Sequence, residues 1–402
     1  MENLILKSLS AENFASFAAS ITFTTEADLS KKEYIDNTFA CGNSRFNKVS
    51  FVYGANGSGK TFFCKILREI QRFLSLSPLA VIDATQLMAR PEFKNIDAPV
   101  KKFAFDTNYQ EQPTRFAIEL ILDDITYYYA FAVQGQEIVH ELLTKKYRRT
   151  EKLLERTSSS FKDITLRSEL KGFEDVKRMV KPEALCLPIA DLLNNPLASK
   201  IVSAINGIKV VSMTAGKLQP INPKKTFSED RLHKYLNIIR TADPTLRDIK
   251  VSFQEEEVEH QRNTSDDFEN RESIVKTTKV GVASRHAVYE NGKETTSAAI
   301  SFFKDESLGT VKLFTALPYL FDVLENGGAL IIDELENGLH LSLAKEIIRL
   351  FTNEKSNPHH AQLICTSHQP LLVDGEYRRD QVWITAKDDC GKSVLHRMSD
   401  LK

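Results

Sequence analysis

The sequence predicts an α/β fold, and three stretches carry that prediction. Val49-Ser50-Phe51-Val52-Tyr53 reads as a buried strand. It runs into a glycine-rich loop, and Phe62, Phe63, Ile66, Leu67, Ile70, Phe73 and Leu74 then recur at helical spacing. Ala329-Leu330-Ile331-Ile332 reads as a second buried strand and ends in two acids, Asp333-Glu334. Leu363-Ile364-Cys365-Thr366-Ser367 reads as a third and ends in His368.

The bulk properties set the frame for these elements. A chain of 402 residues can bury two or three lobes, each with its own core. A net charge of −1, with 27% charged residues, excludes a whole-molecule field for nucleic acid or membrane, so any DNA contact would come from a local patch. No apolar run approaches the roughly 20 residues of a membrane span. Met1-Glu2-Asn3 leads straight into strand-like Leu4-Ile5-Leu6, without the charged and apolar regions of an export signal. The cysteines at 41, 64, 186, 365 and 390 are odd in number and scattered, without a CxxC pair. They are expected to be reduced thiols and not a disulfide or zinc framework. The expectation is a cytoplasmic protein with no membrane contact.

In chain order, Ile5, Leu6, Leu9, Phe14, Phe17, Ile21 and Phe23 alternate as an antiparallel pair beside the glycine loop. The polar residues 26–48 read as a loop, and 78–113 as irregular. Arg115 to Leu122 and Ile125 to Val133 flank Asp123-Asp124 and predict a hairpin. A third run, Ile138 to Tyr147, ends in the basic cluster Lys145-Lys146-Tyr147-Arg148-Arg149, read as a solvated strand end in preference to a phosphate contact. Residues 150–250 read as helical and charged, through Leu153, Leu154, Phe161 and Leu166, then Ile189 to Ile201, then Leu232 to Ile239. Glu255 to Arg271 reads as an exposed acidic loop.

The chemistry is concentrated in the three opening stretches. Gly54-Ala55-Asn56-Gly57-Ser58-Gly59-Lys60-Thr61 fits the Walker A pattern G-x-x-x-x-G-K-[ST] at every fixed position. Glycines let backbone N–H groups turn inward, and the helix N-terminus adds partial positive charge, so the unit is a phosphate cradle. Lys60 would reach the β- and γ-phosphates, and the Thr61 hydroxyl would ligand Mg²⁺. An apolar strand ending in acids fits Walker B, with Asp333 in the metal shell and Glu334 as general base toward the attacking water. His368 is placed to sense the γ-phosphate. Ser307-Leu308-Gly309-Thr310, opening an apolar helix, is another anion-binding end. Gln86 and Gln112 are the two candidates for a further glutamine contact.

Together with the opening Glu12-Asn13-Phe14-Ala15-Ser16-Phe17, the signature Glu306-Ser307-Leu308-Gly309-Thr310, the run from Asp333 to His340 and Thr366-Ser367-His368, these motifs resemble ABC-type AAA ATPase heads. The likeness is to the RloA/AbiL-type group related to OLD, RecF and SMC heads, and it covers roughly residues 1–145 and 270–402. It implies a P-loop NTPase head of the ABC type with an antiparallel β lobe and a helical insertion, divided as 1–145, 146–270 and 271–402. It further implies a homo-oligomer, at least a dimer, in which Ser307 and Gly309 of one subunit complete the ATP and Mg²⁺ site of another, with Glu336 to His340 at that interface. The signature departs from the fuller LSGGQ form, which implies fewer γ-phosphate contacts and slow turnover.

Members of this group are associated with phage defence beside a nuclease or Toprim-like partner. Only 34 residues follow His368, too few for a Toprim domain, and no separate acidic metal cluster stands out. The expectation is therefore a sensor or scaffold subunit whose effector is separately encoded, with DNA or a phage protein as trigger. The rival is a RecF/SMC-like DNA-repair ATPase that binds duplex DNA. The near-zero charge and the absence of long heptad arms count against it.

Overall fold

A computed structural model describes residues 4–80, 99–171, 174–214, 226–241, 243–260, 273–373 and 376–401. The chain divides into two compact units. One comprises Met1–Thr214, Tyr319–Glu336 and Ala344–Lys402, and the other Ala215–Pro318 and Asn337–Leu343.

The first unit holds two large sheets. β1 (Ile5–Glu12) and β2 (Ile21–Thr24) form the expected antiparallel pair. The stretch expected as a loop over 26–48 instead contains the hairpin β3 (Thr38–Cys41) and β4 (Ser44–Asn47), where Phe39 and Phe46 bury themselves against Ile5 and Ile121. β5 (Val49–Gly54) and α1 (Lys60–Leu76) follow. α1 buries Phe63, Ile66, Leu67, Ile70, Phe73 and Leu74, the apolar stripe that its periodicity predicts.

β6 (Thr114–Leu122) and β7 (Ile125–Gln134) make the predicted hairpin. Asp123 and Asp124 both carry positive φ, 50° and 63°, as a two-residue turn matched to strand twist requires. β8 (Glu137–Lys146) continues the sheet. Lys145 at its end pairs with Glu151 and Glu169, in keeping with a solvated strand end.

Residues 150–250 are mixed, not mainly helical. Leu153 and Leu154 lie in β9 (Thr150–Arg156) and Leu166 in β10 (Ile164–Leu166), paired antiparallel. Leu153 and Leu154 are adjacent and both buried, and the pairing with β8 shifts register between Lys152 and Leu154, so the strand shows no simple alternation. α2 (Glu174–Met179), α3 (Cys186–Leu192) and α4 (Pro196–Gly207) are helices, and β11 (Lys209–Ser212) returns to strand. The fully buried Glu141 of β8 anchors α3. Its carboxylate accepts the N–H groups of Cys186 at 2.7 Å and Leu187 at 3.0 Å, and the Tyr129 hydroxyl at 2.8 Å. Burial pushes the Glu141 carboxyl above its ordinary range, against the pull of those donors and Arg156.

In the second unit, α5 (Glu229–Ile239) carries the predicted Tyr235, Leu236 and Ile239 inward. β12 (Leu246–His260), β13 (Ser273–Glu290) and β14 (Lys293–Ser301) form an antiparallel sheet. The expected acidic loop from Glu255 is thus strand as far as His260, and 261–271 lies outside the described residues. α6 (Phe302–Asp305) precedes α7 (Leu308–Asn326), whose residues from Tyr319 onward belong to the first unit. Phe227, Tyr235 and Phe302 pack on Phe314 at ring distances of 4.6 to 6.3 Å.

β15 (Ala329–Asp333) and β16 (Gln362–Ser367) are buried at every residue, with α8 (Leu341–Thr352) between them in sequence. β17 (Val382–Lys387) and β18 (Ser393–Arg397) complete a six-stranded sheet in the order β11-β15-β16-β5-β17-β18. Every pair in it is parallel except β17 with β18. Continuous apolar strands, and not alternating ones, are what a parallel sheet covered on both faces selects. The antiparallel sheet runs β10-β9-β8-β7-β6-β1-β2. The fold is α/β, as expected.

Candidate nucleotide site

β5, β16 and β15 end side by side, with Tyr53 opposite Ser367 and Ile332 opposite Cys365. Ligands of parallel α/β sheets bind beyond such carboxyl ends. Because β16 separates the other two, the loop after β5 and the acids after β15 face a common space flanked by Thr366.

The loop is shaped by its glycines and by two hairpins. Gly59 has a φ of 116°, and a Cβ there would sit 3.0 Å from the hydroxyls of Ser16 and Ser393 and 3.1 Å from Phe17 Cζ. At Gly54 a Cβ would lie 2.2 Å from Thr385 Oγ1. Ser58 Oγ and Thr385 Oγ1 share a buried hydrogen bond of 2.6 Å, tying the loop to β17. Ser393 N–H donates to Ser16 carbonyl oxygen at 2.7 Å, tying the β1–β2 turn to β18. That turn is built on buried Asn13, with a φ of 52°. The Asn13 amide donates to the carbonyls of Tyr109 and Gln112 at 2.7 and 3.0 Å and accepts from Phe103 N–H at 3.2 Å. Gln112 therefore contributes its carbonyl to this support, and Gln86 lies outside the described residues.

Ala55, Asn56 and Gly57 are exposed at the loop tip, whereas Ser58, Gly59 and Lys60 are buried. The Lys60 ammonium folds onto the loop, donating to the carbonyls of Gly54 at 2.6 Å and Ala55 at 3.0 Å. Thr61 Oγ1 lies 3.5 Å from Asp333 Oδ1. Asp333, 3% exposed, accepts from Thr366 Oγ1 at 2.7 Å. Cys64, one turn along α1, sits with Sγ 3.8 Å from the same oxygen. Burial and the Asp333 carboxylate push the Cys64 thiol well up, so it stays protonated beside that acid.

The Thr366 hydroxyl also accepts Glu334 N–H at 2.8 Å, and Glu334 stands in the left-handed region with a φ of 55°. His368, half exposed, is gripped at two points by Glu336. Its N–H donates to Glu336 Oε1 at 2.8 Å, and its Nδ1 lies 3.1 Å from that oxygen. The other Glu336 oxygen is buried without a hydrogen-bond partner.

Lys60, Thr61, Asp333, Glu334 and His368 thus belong to the first unit, while Ser307 and Gly309 belong to the second. Ser307 Oγ accepts from Thr310 N–H at 3.1 Å and caps the start of α7. Asp243, His286 and Glu306 also gather in the second unit, within 4.8 Å. The sequence reading missed this cluster because its members are far apart along the chain: Asp243 precedes β12, His286 lies on β13 and Glu306 lies between α6 and α7. His286 Nε2 lies 2.6 Å from Glu306 and Nδ1 lies 3.0 Å from Thr245 Oγ1, so both ring nitrogens are engaged by neighbouring side chains.

The pairing of a phosphate cradle with a hydroxyl and a carboxylate 3.5 Å apart fits a triphosphate and an oxygen-seeking divalent cation. Thr366 and Thr385 complete this set. Thr366 belongs to the Thr366-Ser367-His368 motif, whereas Thr385 carried no local signal.

The chain matches the family described as "AAA domain, putative AbiEii toxin, Type IV TA system" over residues 49–181 and 215–374. It is similar to a crystal structure of an SMC head bound to the C-winged helix domain of ScpA. The two share 14% identity over 97% of each chain, with a TM-score of 0.47. It is also similar to the SMC head domain from Thermotoga maritima, at 12% identity over 99% of each chain and a TM-score of 0.40. A RecF-ATPrS structure from the RecFOR pathway shares 11% identity over 98% of each chain, with a TM-score of 0.40. No curated protein matches the sequence.

Proposed function

This chain belongs to the AAA-domain family of the AbiEii type, and from that premise we propose that it is an ATPase acting as sensor or scaffold in anti-phage defence. The observation that carries the ATPase reading is the approach of Thr61 to Asp333, held by Thr366 at the mouth of the parallel sheet.

In this reading the N–H groups of residues 54–61 and the Lys60 ammonium bind the phosphates, with Lys60 leaving the carbonyls of Gly54 and Ala55 to do so. Thr61 and Asp333 hold Mg²⁺, which when bound offsets the charge of the phosphate oxygens. Glu334 orients the attacking water and takes its proton. Glu336 aims His368 toward the γ-phosphate. Ser307 and Gly309 serve the nucleotide of a second subunit, so the active form is at least a dimer with composite sites. A separately encoded effector, of nuclease or Toprim-like chemistry, would be held or released as ATP turns over, with DNA or a phage protein as trigger.

The test has two arms. Light scattering on Glu334→Gln should show ATP-dependent association, and mass indifferent to Mg·ATP would sink the composite site. Cells carrying the protein with its genomic neighbours should lose phage resistance on Lys60→Ala. Undiminished resistance would sink the defence role. ATP-dependent, salt-sensitive binding of duplex DNA would favour the repair reading instead.

A further inference from the structure

Lys312 sits two residues beyond the Ser307–Thr310 turn, on the first turns of α7, and is 9% exposed. Its ammonium donates to Asn337 Oδ1 at 2.5 Å and lies 3.4 Å from the Asn337 carbonyl oxygen. Both partners are neutral, and among the described residues no carboxylate pairs with Lys312. A buried ammonium without a counter-charge pays desolvation that neutral oxygens only partly recover, so an apolar side chain would fold there at no greater cost.

The packing around this contact leaves no slack. A Cβ on Gly309 would lie 2.4 Å from the Gly338 carbonyl oxygen, so the signature glycine rests directly on the loop that follows the Walker B acids. Gly338, with a φ of 80°, would bring a Cβ within 3.1 Å of the Lys312 stem. On the other side of the turn, His286 of β13 holds Glu306 at 2.6 Å. Asn337–Leu343 belongs to the same compact unit as the signature turn, although in sequence it continues from Glu336 of the first unit.

We propose that Lys312 is a positioning residue that locks the Asn337–His340 loop to the Ser307–Thr310 turn, so that both are presented to a second subunit as one preformed surface. This rests on the composite-site reading above. The lock acts by geometry. Two elements fixed to each other lose no further freedom when a partner docks on them, which favours the associated, hydrolysing state over the separate one.

The experiment compares Lys312→Met, Asn337→Ala and the double variant, each also in the Glu334→Gln background. Lys312→Met should leave Mg·ATP binding to the isolated subunit within about twofold and the unfolding midpoint unlowered, while kcat and ATP-driven association fall by roughly tenfold. Asn337→Ala should do the same, and the double variant should be no worse than either single one. Effects that multiply in the double variant, or a Lys312→Met protein that associates and turns over like the parent, overturn the lock. Lower thermal stability with kcat and association intact would make Lys312 merely structural. A parent that neither associates with ATP nor gains specific activity with concentration overturns the composite site, and the lock with it.

Discussion

The Thr366 hydroxyl donates to Asp333 Oδ1 at 2.7 Å and accepts the N–H of the next residue, Glu334, at 2.8 Å. One side chain on β16 thereby sets both the acid proposed to hold the metal and the acid proposed for proton transfer. It also stabilises a left-handed Glu334, a conformation that costs on the order of 1–3 kcal/mol when unsupported. Thr366→Val should lower kcat by about tenfold or more and raise the Mg²⁺ requirement, because a buried N–H and a carboxylate each lose a partner worth roughly 1–3 kcal/mol. Thr366→Ser should recover most of the activity. A valine variant with parental turnover would show that the hydroxyl is dispensable.

Glu334→Gln should keep ATP affinity and lose turnover by roughly 10²–10⁴-fold, the range typical of a missing general base. Single-turnover hydrolysis checks this directly. Parental rates would remove Glu334 from the role.

Glu336→Ala should cost turnover to a similar extent as His368→Ala, since the carboxylate grips both the backbone and the ring of that histidine. The double variant should match the worse single one if the two act as a unit. Multiplicative losses in kcat would show independent roles.

Gly59→Ala should abolish nucleotide binding and destabilise the fold by about 1–3 kcal/mol. Its φ of 116° strains any L side chain, and the three neighbours at 3.0 to 3.1 Å would have to give way to a methyl group. Calorimetric titration with a non-hydrolysable ATP analogue would read the first effect and urea unfolding the second.

Glu141 gives a pH-dependent stability. Its folded-state carboxyl is raised by burial, so its contribution is complete below the unfolded value and is lost as pH climbs through the folded one. Glu141→Gln should cost about 1–3 kcal/mol, because Cys186 and Leu187 donate to different carboxylate oxygens and an amide must turn its NH₂ toward one of them. The gap between parent and variant in urea midpoints should narrow as pH rises through that window. A gap independent of pH would mean that Glu141 stays ionised.

How much of this was legible in the sequence depends on whether the information was contiguous. The loop 54–61, the strands ending at Asp333 and His368, and the Asp123-Asp124 turn were legible because a few neighbouring residues specify each. The hairpin containing Phe39 and Phe46 was hidden, since two aromatics in a polar stretch do not show a period. Leu153 and Leu154 misled because two adjacent buried leucines at a register shift do not show the alternation of a strand. Thr385 and Ser393 were invisible, because only the closed sheet brings β17 and β18 to the glycine loop.

That last arrangement bears on when the protein becomes competent. Ser58 waits for a partner 327 positions away, and Gly59 is crowded by Ser16 and Ser393 together. At 5–20 residues per second, roughly 15–65 s of translation separates the loop from Thr385. A nascent chain therefore carries an unfinished cradle for most of its synthesis, and productive nucleotide capture is deferred until the β17–β18 hairpin has emerged from the ribosome.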